Sequence, residues 1–331
     1  MQEQKRILVA VLDWGLGHAT RCVPLIKKLR QEGHIVVVAA GGKAADFLKI
    51  EFSDLEIIPF RGYGIRYSTL LPMSLMMLLQ SPKILFHIVR EHFWLKKIIQ
   101  KHRINSVISD NCYGLWNNRI ESIFITHQLM IKCPEGMKWL EPALHSIVKW
   151  FVSRYDECWI PDVAGENNLS GDLSHKFPLP ENARFIGNLS RFGFEENKLF
   201  EKSVYDVCAI ISGPEPHRTR FEKKCLEVLN KQSGKSILIL GKPGNISVSE
   251  SQENIRIASH LNTAEMQYIL LNAKHIICRS GYSGIMDLRK LQKGAYLVPT
   301  PGQTEQEYLA GYLDGKFGFK MVKELEEINL E

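Results

Sequence analysis

Twice near the C-terminus of this 331-residue chain, a short apolar run ends in small residues and a helix start follows at once. The first run is His275–Cys278, followed by Arg279-Ser280-Gly281-Tyr282-Ser283-Gly284; the second is 295–298, followed by Pro299-Thr300-Pro301-Gly302-Gln303-Thr304. Runs this short, punctuated by glycine, read as buried strands. Gly281 and Gly284 let the backbone approach a ligand closely, and a helix starting near Ser283 aims unsatisfied N–H groups at it. Asp287 is expected in the first turn of that helix, within reach of hydroxyl groups. Thr304 and Glu307 are spaced as a capping box for the second helix, with Gln306 in its first turn. Two such helix starts suit a ligand with phosphate at one end and a sugar at the other.

The N-terminus has a related construction. The apolar run 7–12 leads into Asp13-Trp14-Gly15-Leu16-Gly17-His18, then a helix with an apolar stripe at Val23, Ile26 and Leu29 that stops at Gly33, then a second strand at 35–39. This is a βαβ unit with a glycine turn. Thr20 replaces the third glycine of a dinucleotide fingerprint, and Ala39-Ala40-Gly41-Gly42 offers no acid for a ribose, so NAD binding is disfavoured. A histidine at a helix N-terminus feels the positive dipole end, which favours neutral imidazole able to take a proton. His18 is equally placed to cap the helix. The strands 106–111 and 123–128 end in Asp110 and His127, at the edge where open α/β sheets bind ligands. Both are candidates to bind an acceptor, to orient His18 or to act as the base, and both could be turn residues. The run 185–191 reads as the strand leaving a first domain of residues 1–188, with a polar linker to about Glu201. A second domain, 189–331, starts a fresh sheet at 207–211, and its C-terminal helix could pack back on the first.

Apolar residues make up 45% of the chain and charged residues 24%, as in soluble globular proteins. A net charge of +6 without a dense basic run gives no case for nucleic acid. Seven cysteines without a Cys-x-x-Cys pair argue against a zinc site or disulfide framework, hence for a reducing cytosol. The first apolar run stops at Asp13, too soon for a signal peptide, and no run reaches the length of a membrane span. A cytoplasmic protein is expected. The stretch 70–79 is almost wholly Leu and Met, and Pro82 is expected to open a helix with Ile84, Leu85, Ile88, Leu95, Ile98 and Ile99 on one side. Lys83, Arg90, Lys96, Lys97 and Lys101 lie elsewhere on it. That combination reads either as a core helix with solvated charges or as a surface for a lipid interface at the inner face of the cell membrane.

The Arg279-Ser280-Gly281 loop with its downstream acid, the Pro-rich turn with Gln303 and Gln306, and the Gly-x-Gly-His turn at Gly15, Gly17 and His18 together resemble GT-B glycosyltransferases. The closest similarity is to glycosyltransferase family 28, which includes the peptidoglycan N-acetylglucosaminyltransferase. The resemblance implies an α/β fold of two doubly wound, Rossmann-like domains with an interdomain cleft. It implies an inverting hexosyltransferase of cell-envelope glycans that takes a nucleotide-sugar, UDP-linked, as co-substrate and needs no other cofactor. On that pattern Asp287 holds the ribose, where the peptidoglycan enzyme has a glutamate, and Gln306 the donor sugar. Ser212, Gly213, Ser280, Gly281, Ser283 and Gly284 lie near the phosphates, and the backbone at Ser259, His260 and Leu261 holds the nucleobase. No Asp-x-Asp motif suggests a bridging metal, so Arg279 or Arg218 is expected to meet the diphosphate charge. The acceptor is a sugar, a small molecule or a lipid-linked molecule. Gly17-His18 with Arg21-Cys22 also resembles the UDP-sugar hydrolases of nonulosonate synthesis, in which water replaces the acceptor. A nucleotide-sugar-binding protein without turnover is the third reading.

Overall fold

The apolar runs of the N-terminal part become strands covered on both faces, as parallel sheets require. The computed structural model describes residues 3–64, 73–193, 204–244, 248–252 and 254–328. The chain divides into two compact units, Met1–Trp14 with His18–Leu189, and Gly15–Gly17 with Ser190–Glu331. The first sheet holds β1 (Arg6–Val11), β2 (Ile35–Ala40), β3 (Glu56–Pro59), β4 (Ser106–Asp110), β5 (Glu121–Ile125), β6 (Glu157–Ile160) and β7 (Ala183–Phe185). All pair in parallel, in the order β3-β2-β1-β4-β5-β6-β7. The order reverses between β1 and β4, where Val11 sits opposite Asp110. Ligands of open α/β sheets bind beyond the strand ends at such a reversal. Helices α1 (Leu16–Gln31), α2 (Gly42–Glu51), α3 (Met73–His102), α4 (Glu141–Val152) and the single turn α5 (Asp172–His175) complete this part.

The second sheet repeats the plan with β8 (Val207–Ile210), β9 (Ser236–Ile239), β10 (Val248–Gln252), β11 (Ile255–Ala258), β12 (His275–Cys278), β13 (Tyr296–Leu297) and β14 (Lys320–Met321). Its order is β10-β11-β9-β8-β12-β13-β14, parallel except for the antiparallel edge strand β10. Here the reversal lies between β8 and β12, where Ile210 pairs with Cys278. Helices α6 (His217–Leu229), α7 (Thr263–Asn272), α8 (Tyr282–Lys290) and α9 (Thr304–Leu313) link the strands. Phe221 and Cys225 of α6 pack on Val207, Ala209, Leu238 and Ile277. Leu325 enters the same core from a last 3-10 turn at Leu325–Glu327.

Local signals fared unevenly. Asn262 forms the capping box that its spacing to Glu265 predicts, its side chain accepting from the Glu265 N–H while Glu265 accepts from the Asn262 N–H. The box expected at Thr304 does not form. Gln303 is the N-cap, and Glu307 accepts the Gly302 N–H at 2.8 Å instead, bracing the Pro-rich turn. Asp287 falls in the second turn of α8 rather than the first, because that helix begins at Tyr282. The strand expected at 185–191 ends at Phe185. The linker expected to about Glu201 lies largely outside the described residues, as does the start of the Leu/Met run. Pro82 does not open a helix but sits inside the 30-residue α3. One backbone hydrogen bond is lost there, and burial of Ile88, Leu95 and Ile98 against the sheet outweighs it. Leu85, expected on the buried side, is exposed.

One buried acid stands out in α3. Glu91 Oε2 accepts from the Gly114 N–H at 2.9 Å and the Tyr63 O–H at 3.4 Å, and Oε1 finds no partner among the described residues. Gly114 is required, since a Cβ there would collide with the Ile88 carbonyl. Burial pushes the Glu91 carboxyl up from 4.5 to about 8. Between those values the unfolded chain has lost this proton and the folded chain keeps it, so stability falls as pH rises through that window. Below it the group has no effect; above it the full penalty is present. Glu91→Gln should therefore raise the melting temperature clearly at about pH 9 and little at about pH 5. Thermal unfolding at both pH values checks this, and an equal shift at the two would assign the gain to something other than ionisation.

Candidate active site

The turn after β1 needs glycine at Gly15, whose φ of +87° L side chains rarely adopt. Beyond it, α1 carries His18 in its first turn and Arg21 three residues on, hence on the same face. Asp110 closes β4, and Asn111 turns the chain sharply away with a φ of 59°, a conformation Asn tolerates. His127 follows β5. These residues converge on one buried cluster in the first unit. His18 Nδ1 lies 3.2 Å from Asp110 Oδ2. Arg21 Nε donates to both Asp110 oxygens at 3.0 Å, and its Nη2 also bonds Oδ1. Arg21 Nη1 lies 3.1 Å from His127 Nδ1, and Nη2 lies 2.9 Å from His18 Nδ1. The Cys22 thiol points at the same carboxylate from 3.6 Å.

The charges follow from this packing. Burial alone would push the Asp110 carboxyl up, but the Arg21 guanidinium and then His18 outweigh it and bring it down to about 2. Burial and then Arg21 hold His18 below its ordinary value, with Asp110 opposing them. His18 is thus neutral near neutral pH, as expected, but the cause is burial beside a cation. Burial raises the Cys22 thiol well above its usual range, so it is inert as a nucleophile.

In the second unit the candidate residues gather at the reversal between β8 and β12. Ser212 and Gly213 follow β8, and Gly213 has a φ of +104°. Arg279, Ser280 and Gly281 follow β12, and Gly281 is the N-cap of α8 without any capping side chain. A Cβ added at Gly281 or Gly284 would meet nothing within 4 Å, so packing within the protein does not demand glycine at either position. Ser280 Oγ donates to the Gln306 carbonyl at 2.8 Å, and Gln306 Oε1 accepts the Thr300 N–H at 2.9 Å. Those bonds lock the two glycine-rich turns together. His260 and Leu261 are buried in the loop before α7, and burial, then Arg191, pulls the His260 imidazole down to about 4.

Residues 218–329 match the family model of the glycosyltransferase family 28 C-terminal domain. Solved structures with the same overall fold include the glycotransferase of kitacinnamycin, at a TM-score of 0.63 and 15% identity over 99% of this chain and 88% of that one. The spinosyn rhamnosyltransferase SpnG complexed with thymidine diphosphate gives 0.62 and 12% over 97% and 87%. Arabidopsis thaliana UGT89C1 complexed with UDP-L-rhamnose gives 0.59 and 14% over 98% and 86%. No curated protein matches the sequence closely enough to count as a relative. The chain has the GT-B fold, and its residues 218–329 are similar to the C-terminal domain of glycosyltransferase family 28.

Several side chains have structural work that their motifs did not announce. Asp287 Oδ1 accepts from the Ser190 hydroxyl at 2.6 Å and the Arg191 N–H at 3.3 Å, with Arg191 Nε 3.4 Å from Oδ2. This carboxylate fastens the segment 190–191 to α8, whatever else it binds. Arg279, expected to face phosphate, donates to the carbonyls of Val298, Pro299 and His217 and stacks over Phe221 at 4.0 Å. Arg218 is taken up by Glu222 and the Leu240 carbonyl. Both guanidiniums are buried ties between loops, and Arg279 Nε has no partner among the described residues. The sequence reading missed Arg21 as a site residue. Its signal was there: it lies three residues after His18, on the same helix face.

Arg279→Met should strip three carbonyls of their donor, at roughly 1–3 kcal/mol for each buried group left unpaired. The urea midpoint of the second unit should fall, while nucleotide affinity of the protein that remains folded should hold. Affinity lost without any change in midpoint would return Arg279 to phosphate binding.

Proposed function

We propose that the protein moves a sugar from a nucleoside-diphosphate donor, UDP- or thymidine diphosphate-linked, to an acceptor hydroxyl, with inversion and without a bridging metal. The observation that carries this reading is the neutral His18 imidazole with Nδ1 3.2 Å from the Asp110 carboxylate. With Nδ1–H donating a hydrogen bond to Asp110, His18 keeps the Nε2 lone pair to take the acceptor's proton. As that proton moves, the acceptor oxygen bonds the anomeric carbon and the bond from that carbon to the diphosphate oxygen breaks. One such displacement inverts the centre, and the electron pair leaves with the nucleoside diphosphate. The uncapped start of α8 and the backbone at Gly213 and Gly281 are suited to that developing charge. Gln306 is suited to the donor sugar, since its Oε1 is taken by Thr300 and its amide N–H groups remain for hydroxyls. Two of the structural relatives hold thymidine diphosphate and UDP-L-rhamnose, and a third structure is SpnG complexed with spinosyn aglycone, which supports a donor and an acceptor of these kinds.

Arg21 at the heart of the cluster favours a second reading, because the hydrolase resemblance includes it: water then takes the acceptor's place. Nucleotide release with no acceptor present would decide for the hydrolase.

The proposed acceptor is lipid-linked, reached from a membrane surface. Leu79, Leu85, Phe86, Val89 and Phe93 stand exposed along α3, with Phe86 66% and Phe93 59% accessible. Lys83, Arg90, Lys96 and Lys97 flank them, and Lys96 lies over the Phe93 ring at 5.3 Å. Aromatic and basic side chains on one helix face suit an anionic bilayer. No described helix is long and apolar enough to cross a membrane.

His18→Ala should lower turnover by about 10²–10⁴-fold with nucleotide affinity nearly unchanged. His18→Asn, which can cap a helix but not accept the proton, should be as poor; restored turnover in Asn would move the base elsewhere. Calorimetry on the same variants gives the affinity. For the membrane contact, phosphatidylglycerol vesicles should sediment the protein in low salt and less in high salt. Phe86→Ser with Phe93→Ser should abolish sedimentation, and equal sedimentation of that variant would remove the α3 face from the interface.

A further inference from the structure

The Arg21 side chain is almost wholly buried, yet its nitrogens reach three residues carried by three different elements. Nε takes both oxygens of Asp110 at the end of β4, Nη1 meets His127 Nδ1 after β5, and Nη2 meets His18 Nδ1 on its own helix. A guanidinium has N–H donors only and no lone pair to offer. His127 Nδ1 at 3.1 Å must therefore accept, which puts the His127 proton on Nε2. That histidine cannot stand in as the base through Nε2; it is a hydrogen-bond donor there.

His18 is in a different position. Its Nδ1 faces a donor, Arg21 Nη2 at 2.9 Å, and an acceptor, Asp110 Oδ2 at 3.2 Å. A neutral His18 can satisfy one of them at a time. Only the tautomer with Nδ1–H donating to Asp110 leaves Nε2 open to take a proton, and once it has done so the guanidinium opposes the new positive charge. Arg21 thus makes His18 a weaker base in the resting state and holds Asp110 ready for the protonated one.

We propose that Arg21 is a positioning residue of the transfer reaction: its fork aligns Asp110 with His18, fixes the Nε2–H tautomer of His127 and keeps His18 unprotonated until the acceptor hydroxyl gives up its proton. The proposal rests on His18 being the base. Lysine would supply the charge but not the planar fork, so charge and geometry are separable at this position.

Nitrogen-15 long-range NMR spectra of the histidine rings test it in the intact protein. In the wild type His127 should show the Nε2–H pattern; a proton on Nδ1 overturns the assignment. In Arg21→Met the His18 titration should move up by about one pH unit or more, and the acid limb of kcat/KM should move up with it. In Arg21→Lys the titration should stay low while kcat falls about tenfold and the donor KM holds. A residue that only supports the fold would lower activity equally at every pH, and an unmoved His18 titration in folded Arg21→Met overturns the proposal. If Arg21→Met does not fold, the wild-type tautomer and the Arg21→Lys profile decide. Should the spectra behave as expected while His18→Ala keeps full turnover, the base reading falls and takes the positioning role of Arg21 in transfer with it, leaving only its effect on the His127 tautomer.

Discussion

The Arg21–Asp110 pair ties the start of α1 to the end of β4, and the chemistry of the first unit depends on it. Both side chains are buried, with exposures of 2% and 1%. Two charges so far from water are costly to bury, and a pair of this kind is weak evidence for net stability by itself. What it provides is geometry. The parallel register of β1 and β4 sets Val11 opposite Asp110 and so puts the carboxylate beside the turn that launches α1. The bidentate fork then fixes the carboxylate plane, and with it the direction from which His18 is met. Removing either partner would leave the other charged and buried, which ties integrity of this sheet edge to integrity of the reaction.

The second unit handles charge differently. Its buried arginines Arg191, Arg218 and Arg279 are engaged by Asp287, loop carbonyls and Glu222. What remains at the reversal of its sheet is backbone: the left-handed Gly213, the uncapped α8 and two glycines with open space where a side chain would go. Fixed N–H dipoles hold an anion without a mobile charge that must be desolvated first. A side-chain ion cluster is thus what the proposed proton transfer uses in one unit, and main-chain donors suit a phosphate in the other.

Much of this was legible in the sequence because strand and turn signals are local. The apolar runs correspond to β1, β2, β4, β5, β8, β12 and β13, whereas β3, β10, β11 and β14 were not read as strands, and the Asn262 cap marks the start of α7. What sequence could not give is the partner of each polar side chain. Asp287 and Arg279 sit in motifs that suggest ligand contacts, yet the fold supplies Ser190, Arg191 and three carbonyls to them. Those partners come from segments far away in the chain. Pro82 misled for the opposite reason: a local helix-breaking preference was overridden by apolar burial along α3.

The buried acid and the exposed aromatics of α3 bear on the same question, namely why one helix keeps both. Glu91 looks inward, holding the loop at Gly114 that follows Asp110 by a few residues, while Phe86, Val89 and Phe93 look outward. Helical spacing separates the two faces cleanly, since 86, 89 and 93 recur every three or four residues and 91 does not fall among them. The inward face alone would account for a core helix. Burial of Ile88, Leu95 and Ile98 already fastens α3 to its sheet, so nothing in the packing of the first unit calls for large apolar side chains on the other face. Exposed singly, such residues are ordinary; set in a row between lysines on one helix, they form a patch of the kind that marks an interaction surface.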